Sequence, residues 1–295
     1  MKNLVLPLFI LLFCANLAAQ SDLQTLSATE SAFDQALTEK GTRAAFLEFL
    51  APDSVIFRSG PVNGYKYWTM QPDPSDATLI RRSIDRDIAS NGMAGYTTGN
   101  WSLIPKGKSD VIEQYGEFVT IWEKRSGKFR ATLDITISHD KPAIAVPGRG
   151  KGDQISDLNK KGLSAVDYSM NFLRKSMSGE GVGGAYKTFA ADYVRLLVER
   201  KLAIVGKKNV VAETRHYTSV DFPKKISMFE TGDMTYVWNP CHYADSVEGV
   251  ESGNCLQVWK LRGKKWWIVL SVFARVPSDT VPILTVKPKQ KLLHE

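Results

Sequence analysis

Asp134 stands in the run Ala131-Thr132-Leu133-Asp134-Ile135-Thr136-Ile137, where polar and apolar side chains alternate as in a strand. A carboxyl held among apolar neighbours loses hydration, binds its proton more tightly and becomes a candidate general acid or base. The same alternation fits a solvent-facing row of Thr132, Asp134 and Thr136 behind a core row of Leu133, Ile135 and Ile137, and the solvated row is the expectation. Arg58 ends a short apolar run, where it is either a ligand for an anionic group or an exposed strand-end cation. Trp101, Phe118 and Trp122 fall on one face of a hairpin and Tyr96 on the other, so one aromatic face is a candidate pocket lining or a packed core. Tyr236 and Trp238 share a face with Leu256 and Val258, while Trp259 sides with Cys241.

Other chemistry is less well supplied. Asp53 and Asp192 each follow a helix and read as turn or cap residues. His139, His216 and His242 have no sequence-local partner that would make a triad. No nucleophile elbow, phosphate loop or dinucleotide fingerprint is present, and no further Cys or His completes a zinc spacing, so neither cofactor nor metal is expected. Cys241 and Cys255 are different. A hairpin of residues 234–242 and 254–261, centred near Glu248, sets them directly opposite, within disulfide reach if the side chains point alike. Two free buried thiols are the alternative.

The elements that must position these residues occur twice. Gly41, Ala45, Phe46 and Phe49 recur as Gly181, Ala185, Tyr186 and Phe189; Asp53 to Phe57 recurs as Asp192 to Leu196; Gly116, Trp122, Phe129 and Leu133 recur as Gly253, Trp259, Trp266 and Leu270. Matches in one order at nearly constant offset mean two copies of one fold. In the first copy Ser27 and Glu30 read as the capping box of a helix whose apolar face is Phe33, Ala36 and Leu37. A short helix over Ala44–Leu50, a strand at Val55–Arg58, a helix-bearing segment from Tyr65 to Ile88 and strands at Gly95–Leu103, Glu113–Glu123 and Phe129–Ser138 follow. The second copy repeats the order. It opens with a helix face of Leu163, Val166, Met170, Leu173 and Met177, then a break at Gly179–Gly184 and a short helix to Ala190. Strands are expected at 194–197, 227–229, 235–241, 255–261 and 266–274, with a weak last edge strand at Ile283–Val286 among prolines. The organisation is a first domain over 22–140, a Pro, Gly and charge-rich linker over 141–161, a second domain over 162–276 and a tail over 277–295.

Residues 1–19 read as an export signal: Lys2, an apolar stretch from Leu4 to Phe13, and small Ala18-Ala19 before Gln20. That stretch is too short to span a membrane, no later one approaches about 18 apolar residues, and a soluble periplasmic or secreted chain is expected. Hydrophobic residues at 43% and charged residues at 23% are globular proportions. The net charge of +7 comes from lysines interleaved with Asp and Glu, without a basic helix or an aromatic-basic RNA motif, so nucleic acid is not an expected partner.

Helices followed by a run of long strands give an α+β layer with a curved antiparallel sheet. The stretches Phe46-Leu47-Glu48-Phe49-Leu50-Ala51-Pro52-Asp53-Ser54-Val55-Ile56-Phe57, Gly95 to Trp101, Phe118 to Lys124 and Gly127 through Ile135 resemble nuclear-transport-factor-2-like domains, in the subgroup related to ketosteroid isomerases and polyketide cyclases. The resemblance covers nearly all of the first copy and, more faintly, the second. It implies two cone-shaped domains, each a bent sheet wrapped around helices, paired through their sheets as an intrachain pseudo-dimer. It also implies a concave site for a small, partly apolar ligand. The group holds isomerases, dehydratases, cyclases and plain binding modules. Three functions follow as expectations: a binding module with Arg58, Trp101, Phe118 and Trp122 at its pocket; an acid–base enzyme without metal using Asp134; or a scaffold.

Overall fold

The computed structural model describes residues 5–72, 77–105, 107, 114–140, 171–221, 227–246, 249–263 and 265–276. The expected linker, the start of the second copy's first helix, the tail and the strand at Ile283–Val286 lie outside these residues. The first unit runs α1 (Val5–Glu39), α2 (Thr42–Phe49), β1 (Leu50–Phe57), β2 (Pro61–Asn63), α3 (Gly64–Met70), β3 (Ala77–Ile88), β4 (Ala94–Pro105), β5 (Gln114–Arg125) and β6 (Lys128–His139). The second runs α4 (Phe172–Phe189), β7 (Ala190–Val198), β8 (Ile204–Val205), α5 (Lys207–Thr214), β9 (Tyr217–Asp221), β10 (Ser227–Thr231), β11 (Met234–Asp245), β12 (Gly249–Arg262) and β13 (Lys265–Arg275). The sheet orders are β2-β1-β6-β5-β4-β3 and β10-β11-β12-β13-β7-β8, with β9 also on β11. Each unit is an α+β layer, as expected, but the sheets are mixed rather than wholly antiparallel. β1 runs parallel to β6, and β7 parallel to β13. Each of these first strands is entered from a helix rather than through a hairpin, so no tight turn forces it to oppose its neighbour.

The repeat is visible in local detail. Gly41 (φ 85°) and Gly181 (φ 71°) occupy the same helix–helix corner, where the left-handed backbone favours glycine. A bulge falls between Ile121 and Trp122 against β6, and its counterpart between Val258 and Trp259 against β13. Such an extra residue bends a strand and strengthens its twist, which lets both sheets wrap around their helices.

Several expected elements differ. α1 runs through Ser27 without a break, so Ser27 is no N-cap; its hydroxyl accepts from Arg86 Nη1 instead. The expected apolar face of Phe33, Ala36 and Leu37 is buried, and Leu26 and Glu30 continue it at helical spacing. Helix is present at Gly64–Met70, capped by the Asn63 side chain on Lys66 N (2.7 Å), but residues 77–88 of the segment expected to carry helix form strand β3. Its backbone pairs along the whole length of β4, which satisfies every other amide and outweighs weak helix propensity in a charged stretch.

Three cores result. Leu26, Phe33, Phe46, Trp68 and Trp122 lie between the first helices and the first sheet. Tyr186, Val210, Trp259, Phe273 and the two cysteines lie inside the second unit. A third core joins Tyr96, Val119, Ile121, Leu133, Ile135 and Ile137 of the first sheet to Leu197, Tyr236, Leu256, Val258 and Val272 of the second. β5 and β6 are therefore buried on both faces. Polar pins cross the same layer: Lys260 Nζ to Ile88 O (2.6 Å), Ser90 N to Asp233 Oδ1 (2.7 Å) and Tyr236 Oη to Glu123 Oε1 (2.8 Å). Among the described residues no helix is long and apolar enough to cross a membrane.

Cys241 and Cys255 are bonded, with Cα atoms 5.9 Å apart. They are diagonal rather than opposite, since Cys241 faces Gly253 and Cys255 faces Asn239. The first copy carries the same displacement: Trp101 faces Gly116 and Phe118 faces Gly99. Asp245 pairs with Gly249, which moves every expected pairing by two residues while leaving each side chain on its expected face. The bond closes a separation of 14 residues. Replacing both cysteines by alanine should lower the unfolding free energy by about 2–4 kcal/mol in equilibrium urea titration, since the cross-link removes chain entropy from the unfolded state.

Candidate functional site

Glu30 lies one turn from both Leu26 and Phe33 on the buried stripe of α1, so the helix that supplies apolar contact also drives a carboxylate into the cone. β3 supplies the cation that meets it. Arg81 and Ser83 face Trp101 and Gly99 of β4, ahead of a bulge between Ser83 and Asp85, and alternation turns both side chains towards the helices. Thr120 of β5 stands directly opposite Asp134 of β6. Four elements thus converge on one guanidinium.

Arg81 Nη1 donates to Asp134 Oδ2 (3.0 Å), and Nη2 donates to Glu30 Oε1 (3.1 Å) and to Thr120 Oγ1 (2.7 Å). The Thr120 hydroxyl in turn donates to Asp134 Oδ2 at 2.6 Å. Glu30 Oε2 accepts from Thr97 Oγ1 and from Trp122 Nε1 (3.1 Å). The guanidinium carbon sits 3.6 Å from the centre of the Phe118 ring and 4.8 Å from that of Phe33, so aromatic faces cover its planar surface while carboxylates take its edge. Asp34, one turn after Glu30, places Oδ1 3.8 Å from Arg81 Nε and is within hydrogen-bond reach of the Ser83 backbone and the Glu30 side chain. Side-chain exposure is 2% for Arg81, 1% for Glu30, 8% for Asp134 and 20% for Asp34, which makes Asp34 the member nearest to solvent.

The charge balance decides the protonation. Three carboxylates around one guanidinium would carry a net charge of −2 in a poorly hydrated site, which is strongly disfavoured. Burial raises Glu30 above the usual carboxylate range, against the opposing pull of Arg81. Burial, and then the charge of Glu30, push Asp34 up to about 7. Two neighbouring acids of this kind share a proton. The second unit keeps the scaffold and drops the charge. At the register positions of Thr120 and Asp134 it has Gln257 and Ser271, and Val237 stands where Thr97 does. There Tyr186 Oη donates to Ser271 Oγ (2.9 Å), and burial raises that phenol to about 12.

Phe118 and Trp122 line the charged cluster, and Trp101 shares their face, its Nε1 donating to Ile137 O (3.1 Å). Its indole covers Gly116, where a Cβ would come within 2.3 Å of the ring. Asp134 is buried on the helix side, while Thr132, skipped in the pairing at the bulge, is buried within hydrogen-bond reach of Tyr236 of the second unit, so the expected solvent-facing row is overturned; of the three only Thr136 is exposed. Arg58 lies outside the cluster, exposed at the end of β1, with its guanidinium 4.6 Å from the Tyr67 ring centre. Asp53 is an exposed ion-pair partner of Arg125, which holds it below the usual range. Glu30, Asp34 and Arg81 were missed by sequence reasoning. Glu30 was absorbed into a capping-box pattern and Arg81 into an expected helix, although a Glu on the Leu26–Phe33–Leu37 stripe was itself a signal. Among the described residues no group of three His, Cys, Asp or Glu is arranged to hold a metal.

No family model matches this chain, and no curated protein matches it. Solved structures are similar to it over one unit's length. An NTF-2-like protein of unknown function from Shewanella oneidensis is 17% identical, covering 38% of this chain and 96% of that one, with a TM-score of 0.32. A provisionally named scytalone dehydratase from Novosphingobium aromaticivorans is 11% identical, covering 48% and 99%, with a TM-score of 0.34. An NTF2-like protein with a cystatin-like fold from the same organism is 11% identical, covering 38% and 82%, with a TM-score of 0.32.

The raised acid at Asp34 has a consequence for stability. Between its ordinary value of 3.8 and its folded value of about 7 the native state holds a proton that the unfolded chain has released. Stability from this group is therefore full below about pH 4 and is lost as pH rises to about 7. Urea midpoints measured from pH 4.5 to 8 should show this fall, and Asp34→Asn, which mimics the protonated carboxyl, should remove about 1–3 kcal/mol of it.

Proposed function

We propose that the first unit carries an acid–base site, built from side chains alone, for a small and partly apolar molecule, with Asp34 as the proton acceptor. The observation that carries this reading is a pair of buried polar atoms without hydrogen-bond partners, Asp34 Oδ1 and Arg81 Nε. They are 3.8 Å apart, an ion pair too long for a direct hydrogen bond, and one oxygen set to the side of the line joining them can reach both. A substrate oxygen or an attacking water there would accept from Arg81 Nε and stand beside the Asp34 carboxylate. Negative charge developing on that oxygen would be stabilised by a guanidinium already held in place by Asp134, Glu30 and Thr120, with no reorganisation needed at the moment of reaction.

In this reading Asp134 is a positioning residue, since its Oδ2 is engaged by Arg81 and Thr120. Glu30 shares the proton that Asp34 receives, and Phe33 and Phe118 supply the apolar walls. The chemistry that fits is proton transfer at carbon beside a carbonyl, or addition and loss of water, in which one carboxyl works as base and then as acid. The second unit, with Ser271 and Gln257 in place of Asp134 and Thr120, serves as the partner against which the first sheet packs, giving a paired tandem in one chain. The disulfide and the apolar start of residues 1–19 support export to an oxidising compartment, where α1 would begin near Gln20.

The test is exchange of solvent deuterium into a panel of cyclic ketones and enones, with hydration products followed in the same NMR spectra. Exchange should rise with pH through about 7, as Asp34 loses its proton. Asp34→Asn should reduce it by about 10²-fold or more at unchanged fold, and Asp134→Asn should reduce it while weakening the cluster. A panel that binds, shifts resonances equally in wild type and Asp34→Asn, and never exchanges would replace this reading with plain ligand binding.

A further inference from the structure

A row of residues crosses the first sheet on its helix face, just beyond the charged cluster. Thr136 of β6 stands opposite Phe118 of β5, Phe118 opposite Gly99 of β4, and Gly99 opposite Ser83 of β3. On the other side of β6, Ile56 of β1 is level with Asp134, so Arg58, two residues on, continues the row on the same face. This is where the face opens: Asp134 is buried, whereas Thr136 and Arg58 are exposed. One end of the row meets the cluster, since the Arg81 guanidinium lies on the Phe118 ring. At the other end the Arg58 guanidinium is 4.6 Å from the Tyr67 ring centre and 5.5 Å from that of Trp68. Among the described residues no carboxylate pairs with it. Trp68 is 6% exposed, and its Nε1 has no hydrogen-bond partner. An arginine without a counter-ion, beside a buried N–H donor without an acceptor, offers the charge and the donors that a carboxylate takes.

We propose that the substrate of the acid–base site is an elongated, apolar keto acid, with its carboxylate on Arg58 and Trp68 Nε1 and its ketone at Arg81 Nε and Asp34. The assignment rests on the acid–base reading of that site and adds its substrate class. The cluster sets the direction of binding. It already holds more carboxylate than guanidinium, so it repels an anionic end, while a neutral ketone oxygen accepts from Arg81 Nε. From Arg58 to Ser83 the row spans four strand spacings, about 19 Å along the sheet, which calls for a long body between the two polar ends. Phe33, Phe46 and Trp68 supply its wall as a run of rings between the two guanidiniums, with successive centres 5.1 and 4.9 Å apart.

The experiment is calorimetric titration of the full chain with cyclohexanones that carry a carboxylate on a short, medium or long methylene chain, beside their methyl esters. Deuterium exchange next to the ketone is read on the same compounds. At least one of the longer acids should bind about tenfold or more tighter than its ester, as a charge-assisted hydrogen bond provides. Arg58→Gln should bring that acid down to its ester at an unchanged melting temperature, since the side chain is exposed. Arg58→Lys should keep part of the preference, and Trp68→Phe, which retains a ring and loses the donor, should weaken the acid more than the ester. Asp34→Asn should lose exchange and keep the preference for the acid. No binding by any acid, equal binding of acids and esters, or a preference that survives Arg58→Gln would each overturn the assignment. Exchange without a preference leaves the acid–base site and removes the keto acid; a preference without exchange at any length removes the acid–base reading and leaves Arg58 as a carboxylate site.

Discussion

A guanidinium taken out of water sets the terms for the first unit. Arg81 is inside the cone, and an unpaired charge in that position costs several kcal/mol even after relaxation. It is tolerable only when Glu30 arrives from α1, Thr120 from β5 and Asp134 from β6, with Phe33 and Phe118 covering the plane of the group. No subset of these elements satisfies it. The register of β3 on β4 and the rotation of α1 are thereby coupled, because a helix turned by one residue would bring a different side chain to Arg81. The same cluster holds more carboxylate than guanidinium, and the surplus appears as raised proton affinity at Glu30 and Asp34. Structural demand and chemical capacity have one source.

The second unit shows what the scaffold does when that demand is lifted. Its strands, bulge and helix–helix glycine repeat those of the first, yet Ser271 and Gln257 replace Asp134 and Thr120, and a disulfide joins the strand pair near the place where Trp101 covers Gly116. The counterpart of Trp122, Trp259, is equally buried, but its Nε1 has no carboxylate to donate to. Between the units the two sheets bury one another's faces in a mostly apolar layer that also holds charged side chains. Lys260 is drawn to Asp87, Asp233 and the carbonyl of Ile88, and Glu117, pushed up to about 7 by burial, lies near Arg195. Pairing the sheets in this way hides two faces that would otherwise expose long apolar strands.

Most of the architecture was legible in the residues. The repeat predicted two similar α+β units, and the strands expected at 95–103, 113–123 and 129–138 match β4, β5 and β6 to within a few residues. Period-two alternation placed Trp101, Phe118 and Trp122 on one face and Tyr96 on the other, and these assignments survived a two-residue change of register because such a change preserves parity. The errors cluster where a local pattern has two physical meanings. Ser27 and Glu30 have capping-box spacing, but a preceding helix removed the orphan N–H groups that a cap would serve. β3 is rich in charge and lacks clean alternation, and only its pairing with β4 identifies it as a strand.

The sequence by itself determined the number of units, the long strands β4, β5 and β6 with the faces of their aromatic residues, and the pair of cysteines close enough to bond. These follow from periodicity, turn chemistry and chain direction, all of which act over a few residues. Which face of β6 is wet, and which charges meet, only the tertiary structure decided. Alternation distinguishes two faces without saying what covers either. Asp134 became buried because helices pack on one side of the sheet and a second sheet on the other. Glu30, Arg81 and Asp134 are 51 and 53 residues apart along the chain, and their partnership exists only after three separate elements have closed around the same small volume.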